Sequence, residues 1–151
     1  MLPDKFLRVD RHPNSVFLIV ENDPNDAILI RRALAVGKCA PAAVCRNVSE
    51  AKAYLKGAGM YGNRTKYPFP DVILTDLRME NESGIELVEW IRQQEPPLRD
   101  VTVLILTGSA TPLQFDAAQK VGAQGVHRKP SRLEDLQELL ASIAQQFCRK
   151  G

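Results

Sequence analysis

The sequence predicts an α/β protein built on a doubly wound parallel sheet, and three observations carry that prediction. Short apolar runs, unbroken by polar residues, recur along the chain as strands buried on both faces require. Amphipathic helical segments with readable capping residues separate them. The two patterns alternate as five βα units, and right-handed crossovers then place helices on both faces of the sheet.

The elements follow in order. The first strand, β1, is Val16-Phe-Leu-Ile-Val20. Asp23 caps the next helix (α1), Pro24 suits its first helical position, and Gly37 stands past its end. A weaker strand, β2, covers Ala42 to Arg46, and Ser49 and Gly57 bracket α2. The third strand, β3, is Asp71-Val-Ile-Leu-Thr75. Helix α3 runs from about Gly84 to Gln94, buries Leu87, Val88 and Ile91, and stops at Pro96-Pro97. Strand β4 covers Val101 to Leu106, and Thr111-Pro112 opens an α4 that Gly122 ends. Strand β5 is the weaker run Gly125 to Arg128. Ser131 and Glu134 form a capping box for α5, whose stripe is Leu133, Leu136, Leu140, Ile143 and Phe147. Tyr54 and Trp90 fall on helices as packing residues, and His127 receives no role. Five such units favour the flavodoxin-like strand order 2-1-3-4-5. Ligands in such sheets bind at the carboxyl ends of the strands, where β1 and β3 diverge.

Composition narrows the function. With 151 residues, 44% hydrophobic and 25% charged, the chain suits one globular domain. Twenty basic against eighteen acidic residues leave a formal charge of +2, which gives no electrostatic footprint for nucleic acid or an anionic membrane. Cys39, Cys45 and Cys148 form no CxxC pair, so reduced thiols are expected. No apolar run approaches the roughly 20 residues that span a bilayer, and the N-terminus lacks a signal-peptide core. A cytoplasmic protein with neither nucleic-acid nor membrane partners is expected. Residues 1–14, with Lys5, Arg8 and Arg11, read as a flexible arm ahead of the domain at 15–151.

The informative pattern lies where the strands end. Glu21, Asn22 and Asp23 follow β1, Asp76 follows β3, Thr107 follows β4, and Lys129-Pro130 follows β5. Taken singly, these have plain readings: a helix cap for Asp23, a loop carboxylate for Asp76, a strand threonine, a solvated lysine. Together they converge on one edge. Carboxylates that close repel until a divalent cation joins them. Oxygen ligands of this kind suit Mg2+, which keeps several waters and takes one or two carboxylates plus phosphate oxygens. A carboxylate beside that ion can attack phosphorus. Lys129 supplies a point charge for the phosphoryl group, and Thr107 a hydroxyl donor. These are the parts of a phospho-acceptor aspartate.

The segments Phe17-Leu-Ile-Val-Glu-Asn-Asp-Pro-Asn-Asp26, Asp71 to Met79 followed by Gly84, Leu106-Thr107 and Lys129-Pro130 resemble, in combination and order, the receiver domain of two-component response regulators. The resemblance covers about Ser15 to Phe147. It implies Asp76 as phosphorylation site, Glu21 as a metal-site acid and Arg78 as a metal ligand through its backbone carbonyl. It further implies Thr107 as the switch hydroxyl, Lys129 as the phosphoryl-pairing lysine and a cis bond before Pro130. Mg2+ is the implied cofactor, and a sensor histidine kinase or phosphotransfer protein the implied partner. The stretch Gly57 to Pro70, with Tyr61, Arg64, Pro68 and Pro70, resembles stand-alone receivers that work with phytochrome-type and other sensor kinases. Because Cys148 to Gly151 alone follow α5, a stand-alone receiver acting through protein contacts is expected. The α4-β5-α5 face is its expected switching surface. A homodimer through that face or through α5 competes with α5 simply packing on its own sheet.

The sequence also departs from that pattern. Asn22 replaces a second acid after β1; its amide oxygen can still coordinate, but one negative charge is lost, which lowers expected Mg2+ affinity unless Asp23 compensates. Glu80 stands where proline is usual, Ser131 where an aromatic often follows Lys-Pro, and Val126 where an aromatic usually swings with the switch threonine. Gly108 leaves the phosphoryl pocket open beside Thr107. Arg78 and Ser109 flank the site where an attacking water would arrive. Two alternatives follow. A pseudo-receiver with weakened metal binding would bind partners unphosphorylated. A phosphatase of the haloacid-dehalogenase kind needs a second acid two residues after its nucleophile; that position holds Arg78, which cannot donate a proton at neutral pH. No catalysis is therefore expected beyond self-phosphorylation and autodephosphorylation. A flavin or nucleotide site is disfavoured, because the turn after β1 lacks a glycine-rich phosphate cradle.

Overall fold

A computed structural model describes residues 15–36, 39 and 41–147. The expected arm, Gly37 and Cys148 lie outside the described residues. Five parallel strands form the central sheet: β1 Phe17–Val20, β2 Pro41–Cys45, β3 Val72–Thr75, β4 Thr102–Thr107 and β5 Gly125–Arg128. Their spatial order is 2-1-3-4-5, as the element pattern predicts. The helices are α1 Pro24–Val36, α2 Val48–Lys56, α3 Gly84–Arg92, α4 Pro112–Lys120 and α5 Leu133–Phe147. Short 3-10 turns cover Gly59–Gly62 and Leu98–Asp100, and a two-stranded hairpin joins Arg78–Met79 to Glu82–Ser83.

The pleat explains why the strands read as unbroken apolar runs. Successive side chains point to opposite faces, and both faces are covered. Phe17, Ile19, Val72, Leu74, Leu104 and Leu106 pack against α1 and α5, where Ile30, Leu34, Leu136, Leu140 and Ile143 are buried. Leu18, Val20, Ile73, Val103 and Ile105 pack the other way, against Ala51, Tyr54 and Leu55 of α2, Leu87, Val88 and Ile91 of α3, and Ala118 of α4. The side chain of Phe147, the last residue of the expected α5 stripe, is outside the described set.

Several caps differ from expectation. Asn47, not Ser49, caps α2: its side chain accepts from the Glu50 N–H at 2.7 Å, and Glu82 Oε1 accepts from the Val48 N–H at 2.8 Å. The earlier start lets Val48 enter the core, while Gly57 closes the helix at φ 68° as expected. Ser83 caps α3 in a reciprocal box with Glu86, and Thr111 does the same for α4 with Gln114. The Ser131–Glu134 box gives way to a later start. The Arg132 carbonyl accepts from the Leu136 N–H at 3.0 Å, and Glu134 pairs with Arg132 at 3.7 Å. Among the described residues the cis peptide bond is Pro96–Pro97; the bond before Pro130 is not cis.

Two arginines fasten the framework. Arg92, at the end of α3, donates to the carbonyls of Arg99, Val101 and Gly122 and to Gln124 Oε1, all within 3.1 Å. This ties the helix to the starts of β4 and β5. Arg64 donates to the Leu55 and Tyr67 carbonyls, while the buried Tyr54 hydroxyl donates to the Pro68 carbonyl at 2.7 Å. With the ring of Tyr61 tilted against Tyr54 and that of Tyr67 meeting it edge-on, the Gly57 to Pro70 stretch becomes a packed annex of α2. Among the described residues no helix is long and apolar enough to cross a membrane.

Candidate functional site

Sheet register brings the strand-end residues together. Val20 lies opposite Thr75, so Glu21 and Asp76 leave adjacent strands side by side. Asp76 N–H donates to the Val20 carbonyl and Glu21 N–H to the Cys45 carbonyl, both at 2.9 Å. On the other side Thr107 lies opposite Arg128, and the Lys129 N–H donates to the Thr107 carbonyl at 2.7 Å. β1, β3 and β5 thus hand their next residue, and β4 its last, to the same edge.

The side chains meet around one ammonium. Lys129 Nζ is 2.8 Å from Glu21 Oε1 and 3.5 Å from Asp76 Oδ2. Its shortest contact, 2.7 Å, is to Asp26 Oδ2 in the first turn of α1. That residue escaped the sequence reading, which met it as one acid among several after β1. Its place in the first helical turn directly after a strand end is the available signal. The other Asp76 oxygen, Oδ1, accepts from the Leu77 N–H at 2.7 Å, which leaves Oδ2 facing the lysine.

Burial sets the charge balance. Glu21 is 2% exposed, and desolvation pushes its carboxyl up to about 7, with the Asp76 charge adding and Lys129 opposing. Burial alone would pull the Lys129 ammonium down. Hydrogen bonds to Asp26 and Glu21 more than offset it, so the group ends above the ordinary lysine value.

The remaining candidates take distinct places. Thr107 is buried, and its hydroxyl donates to the Ser109 carbonyl at 3.0 Å. Beside it a cavity of about 80 Å3 is lined by Ala110, Phe115, Val126 and His127 among others, space that the small Val126 leaves open. Arg78 stands on the hairpin with its guanidinium 3.4 Å from Ser109 Oγ, bridging the loops after β3 and β4. Asn81 turns that hairpin at φ 57°, a left-handed conformation asparagine tolerates. Asp23 is the helix cap, its Oδ1 accepting from the Asn25 N–H at 2.8 Å. Asn22 is exposed at the rim.

Among the described residues no group of three His, Cys, Asp or Glu side chains forms a ready-made metal site. Two carboxylates nevertheless face one small space, since Glu21 and Asp76 both approach Lys129 Nζ. A hard divalent cation that keeps several waters needs no more than one or two such ligands. The donor chemistry of Glu21 and Asp76 fits such an ion.

Comparison with known proteins gives one consistent picture. The profile of the response regulator receiver domain family matches residues 17–141. The photosynthetic apparatus regulatory protein RegA of Rhodobacter capsulatus is 32% identical over 124 residues, 82% of this chain and 59% of its own length. The chain spans between 25% and 59% of the length of the first curated relatives it matches. Among solved structures, the phosphorylated cyanobacterial phytochrome response regulator RcpA superposes with TM-score 0.76 at 26% identity, covering 88% of this chain and 93% of its own. The Mn2+-bound form of response regulator Rcp1 gives 0.74 at 26% identity, covering 89% and 95%.

Proposed function

This chain belongs to the response regulator receiver domain family of two-component signalling, and from that premise we propose that it is switched by a phosphoryl group accepted on Asp76 from a sensor histidine kinase or phosphotransfer protein. One observation carries the reading. An acid from β1, an acid from β3 and a lysine from β5 share a pocket, with Lys129 Nζ 2.8 Å from Glu21 and 3.5 Å from Asp76.

Asp76 Oδ2, the oxygen not held by the Leu77 N–H, is the nucleophile. The bond it forms to phosphorus replaces the phosphorus–nitrogen bond of the donor phosphohistidine, whose imidazole keeps the electron pair. Lys129 pairs with the arriving oxygens as a point charge. The Thr107 hydroxyl turns from the Ser109 carbonyl to donate to the phosphoryl group. Mg2+, held by Glu21, Asp76 and the Arg78 carbonyl with Asn22 at the rim, would supply neutralisation of the transferring charge. The Mn2+-bound neighbour supports a divalent site of this kind.

The work is cytoplasmic signalling through contacts, without substrate turnover beyond this group's own transfer and hydrolysis. The output surface is the α4-β5-α5 face, where Leu113 is 81% exposed and Phe115 presents an aromatic edge. A homodimer through that face, or through α5, is one use of it.

Incubation with Mg2+ and acetyl phosphate followed by intact-mass measurement tests the assignment. Wild type is expected to gain one phosphoryl group and Asp76→Asn none; an adduct that survives in the variant sinks it. Asn22 favours the second reading, a pseudo-receiver that binds partners unphosphorylated. Restoring the charge with Asn22→Asp is expected to tighten Mg2+ binding about tenfold by calorimetry. Unchanged affinity would remove Asn22 from the metal site. Wild type that binds no Mg2+ and takes no phosphoryl group would favour the pseudo-receiver.

A further inference from the structure

We propose that Asp26 is a positioning residue for phosphoryl transfer: it holds Lys129 at rest and is the partner the arriving phosphoryl group displaces. The proposal rests on Asp76 being the phospho-acceptor.

An ammonium has three N–H donors. Lys129 spends two on Asp26 Oδ2 at 2.7 Å and Glu21 Oε1 at 2.8 Å, and Asp76 Oδ2 keeps the longest approach, 3.5 Å. The resting lysine is therefore held most tightly by a carboxylate that is not the acceptor. Phosphoryl oxygens bound to Asp76 need that same ammonium, and drawing Nζ in from its 3.5 Å approach to Asp76 pulls it away from one of the two shorter bonds.

Exposure decides which. The Glu21 side chain is 1% exposed and Asp76 12%, whereas Asp26 is 36% exposed. Freeing Glu21 would leave a buried carboxylate without a partner, which is expensive. Freed Asp26 returns to water, and an ion pair at such a site is worth little. It also stays in a favourable field. Asp26 lies in the first turn of α1, whose start is pinned by the Asp23 cap and by the Ala27 N–H on the Asp23 carbonyl at 3.0 Å. A helix N-terminus stabilises negative charge there whether or not the lysine is present. Asp26 thus gives Lys129 a resting position from which it can be exchanged at low cost.

The test uses the full chain with Mg2+ and beryllofluoride, a phosphoryl mimic that an aspartate oxygen binds, with affinity read by 19F NMR. Asp26→Asn is expected to tighten binding about three- to tenfold, because no ion pair then has to be broken. Asp26→Glu, which keeps the carboxylate, is expected to return the affinity toward wild type. Glu80→Gln removes an exposed acid with no tie to Lys129 and controls for general charge; its change should stay below about twofold. In the resting protein the 15N-labelled Lys129 ammonium signal should shift in Asp26→Asn and stay put in Glu80→Gln. Equal effects of the two substitutions, or weaker binding in Asp26→Asn, overturn the exchange while leaving the acceptor in place. Wild type that binds no beryllofluoride overturns both.

Discussion

Lys129→Met is expected to lower the unfolding free energy by about 3–5 kcal/mol at about pH 8 in metal-free buffer, the range for stripping one partner from a buried pair. Most of that loss should vanish by about pH 5, where the Glu21 carboxyl, pushed up to about 7 by burial, is protonated and no longer needs the cation. The lysine is the cation that Glu21, Asp26 and Asp76 share, and its removal leaves Glu21 buried and charged among like charges. The direction with pH follows from Glu21. Its carboxyl stands at about 7 when folded against 4.5 ordinarily, desolvation being the main cause and Lys129 already opposing it. A carboxyl raised on folding binds more protons in the native state than in the unfolded one between those two values. Stability therefore falls as pH rises through that window. Without the lysine the folded value climbs further, so the falling window extends above 7 and the difference between variant and wild type grows with pH. The lysine's own raised value acts only in strong alkali and leaves this range untouched. Urea unfolding followed by the fluorescence of Trp90, the chain's single tryptophan, at the two pH values measures the effect. A loss of equal size at both would mean that charge on Glu21 is not what the lysine compensates.

That site was half legible in the sequence, and the physical reason is reach. Glu21 and Asp76 follow, and Thr107 ends, strands whose apolar runs mark their own ends, and Lys129 follows the weaker run Gly125 to Arg128, so a parallel sheet aligns the four. Asp26 could not be found that way, because its partner lies 103 residues further along the chain. Locally it is an ordinary acid in a first helical turn. The same limit explains the caps. Asn47 and Ser49 are both capping residues, and burial of Val48 together with Glu82, 34 residues away, selects Asn47. Ser131 yields as well: the helix starts at Leu133, and the Leu136 N–H turns to the Arg132 carbonyl. Arg92 reads in sequence as a last-turn helix cation, yet its guanidinium is consumed by three backbone carbonyls of two separate segments. Periodicity reports which face a residue occupies. It does not report which distant backbone will arrive there.

Gly84→Ala is the second large effect. A methyl group at position 84 would sit 2.3 Å from the Asp76 carbonyl oxygen, and 3.3 Å from both the Asp76 carbonyl carbon and Thr75 Cγ2. These are mostly backbone atoms of the strand end that carries the acceptor, so no side-chain rotation relieves the contact. Gly84 also donates its N–H to the Leu77 carbonyl at 2.9 Å, which clamps the first residue of α3 to the same loop. Either α3 lifts or the Asp76 backbone shifts, and a forced shift of this kind costs about 3 kcal/mol, the upper end for overpacking. The Asp76 side chain is fixed through the neighbouring Leu77 N–H, so the shift also misplaces the nucleophile. Labelling by acetyl phosphate should fall at least about tenfold, since small misplacements are costly in group transfer. Gly108→Ala provides the contrast. Nothing lies within 4 Å of a methyl there, although the residue directly follows Thr107. Its stability should stay within about 0.5 kcal/mol of wild type, the usual range for a surface change. If the two alanines prove equally harmless in urea unfolding and labelling, the close seat of α3 on the Asp76 carbonyl does not position the acceptor. If only the first is harmful, the glycine eight residues after the aspartate is required by contact with the acceptor's own backbone.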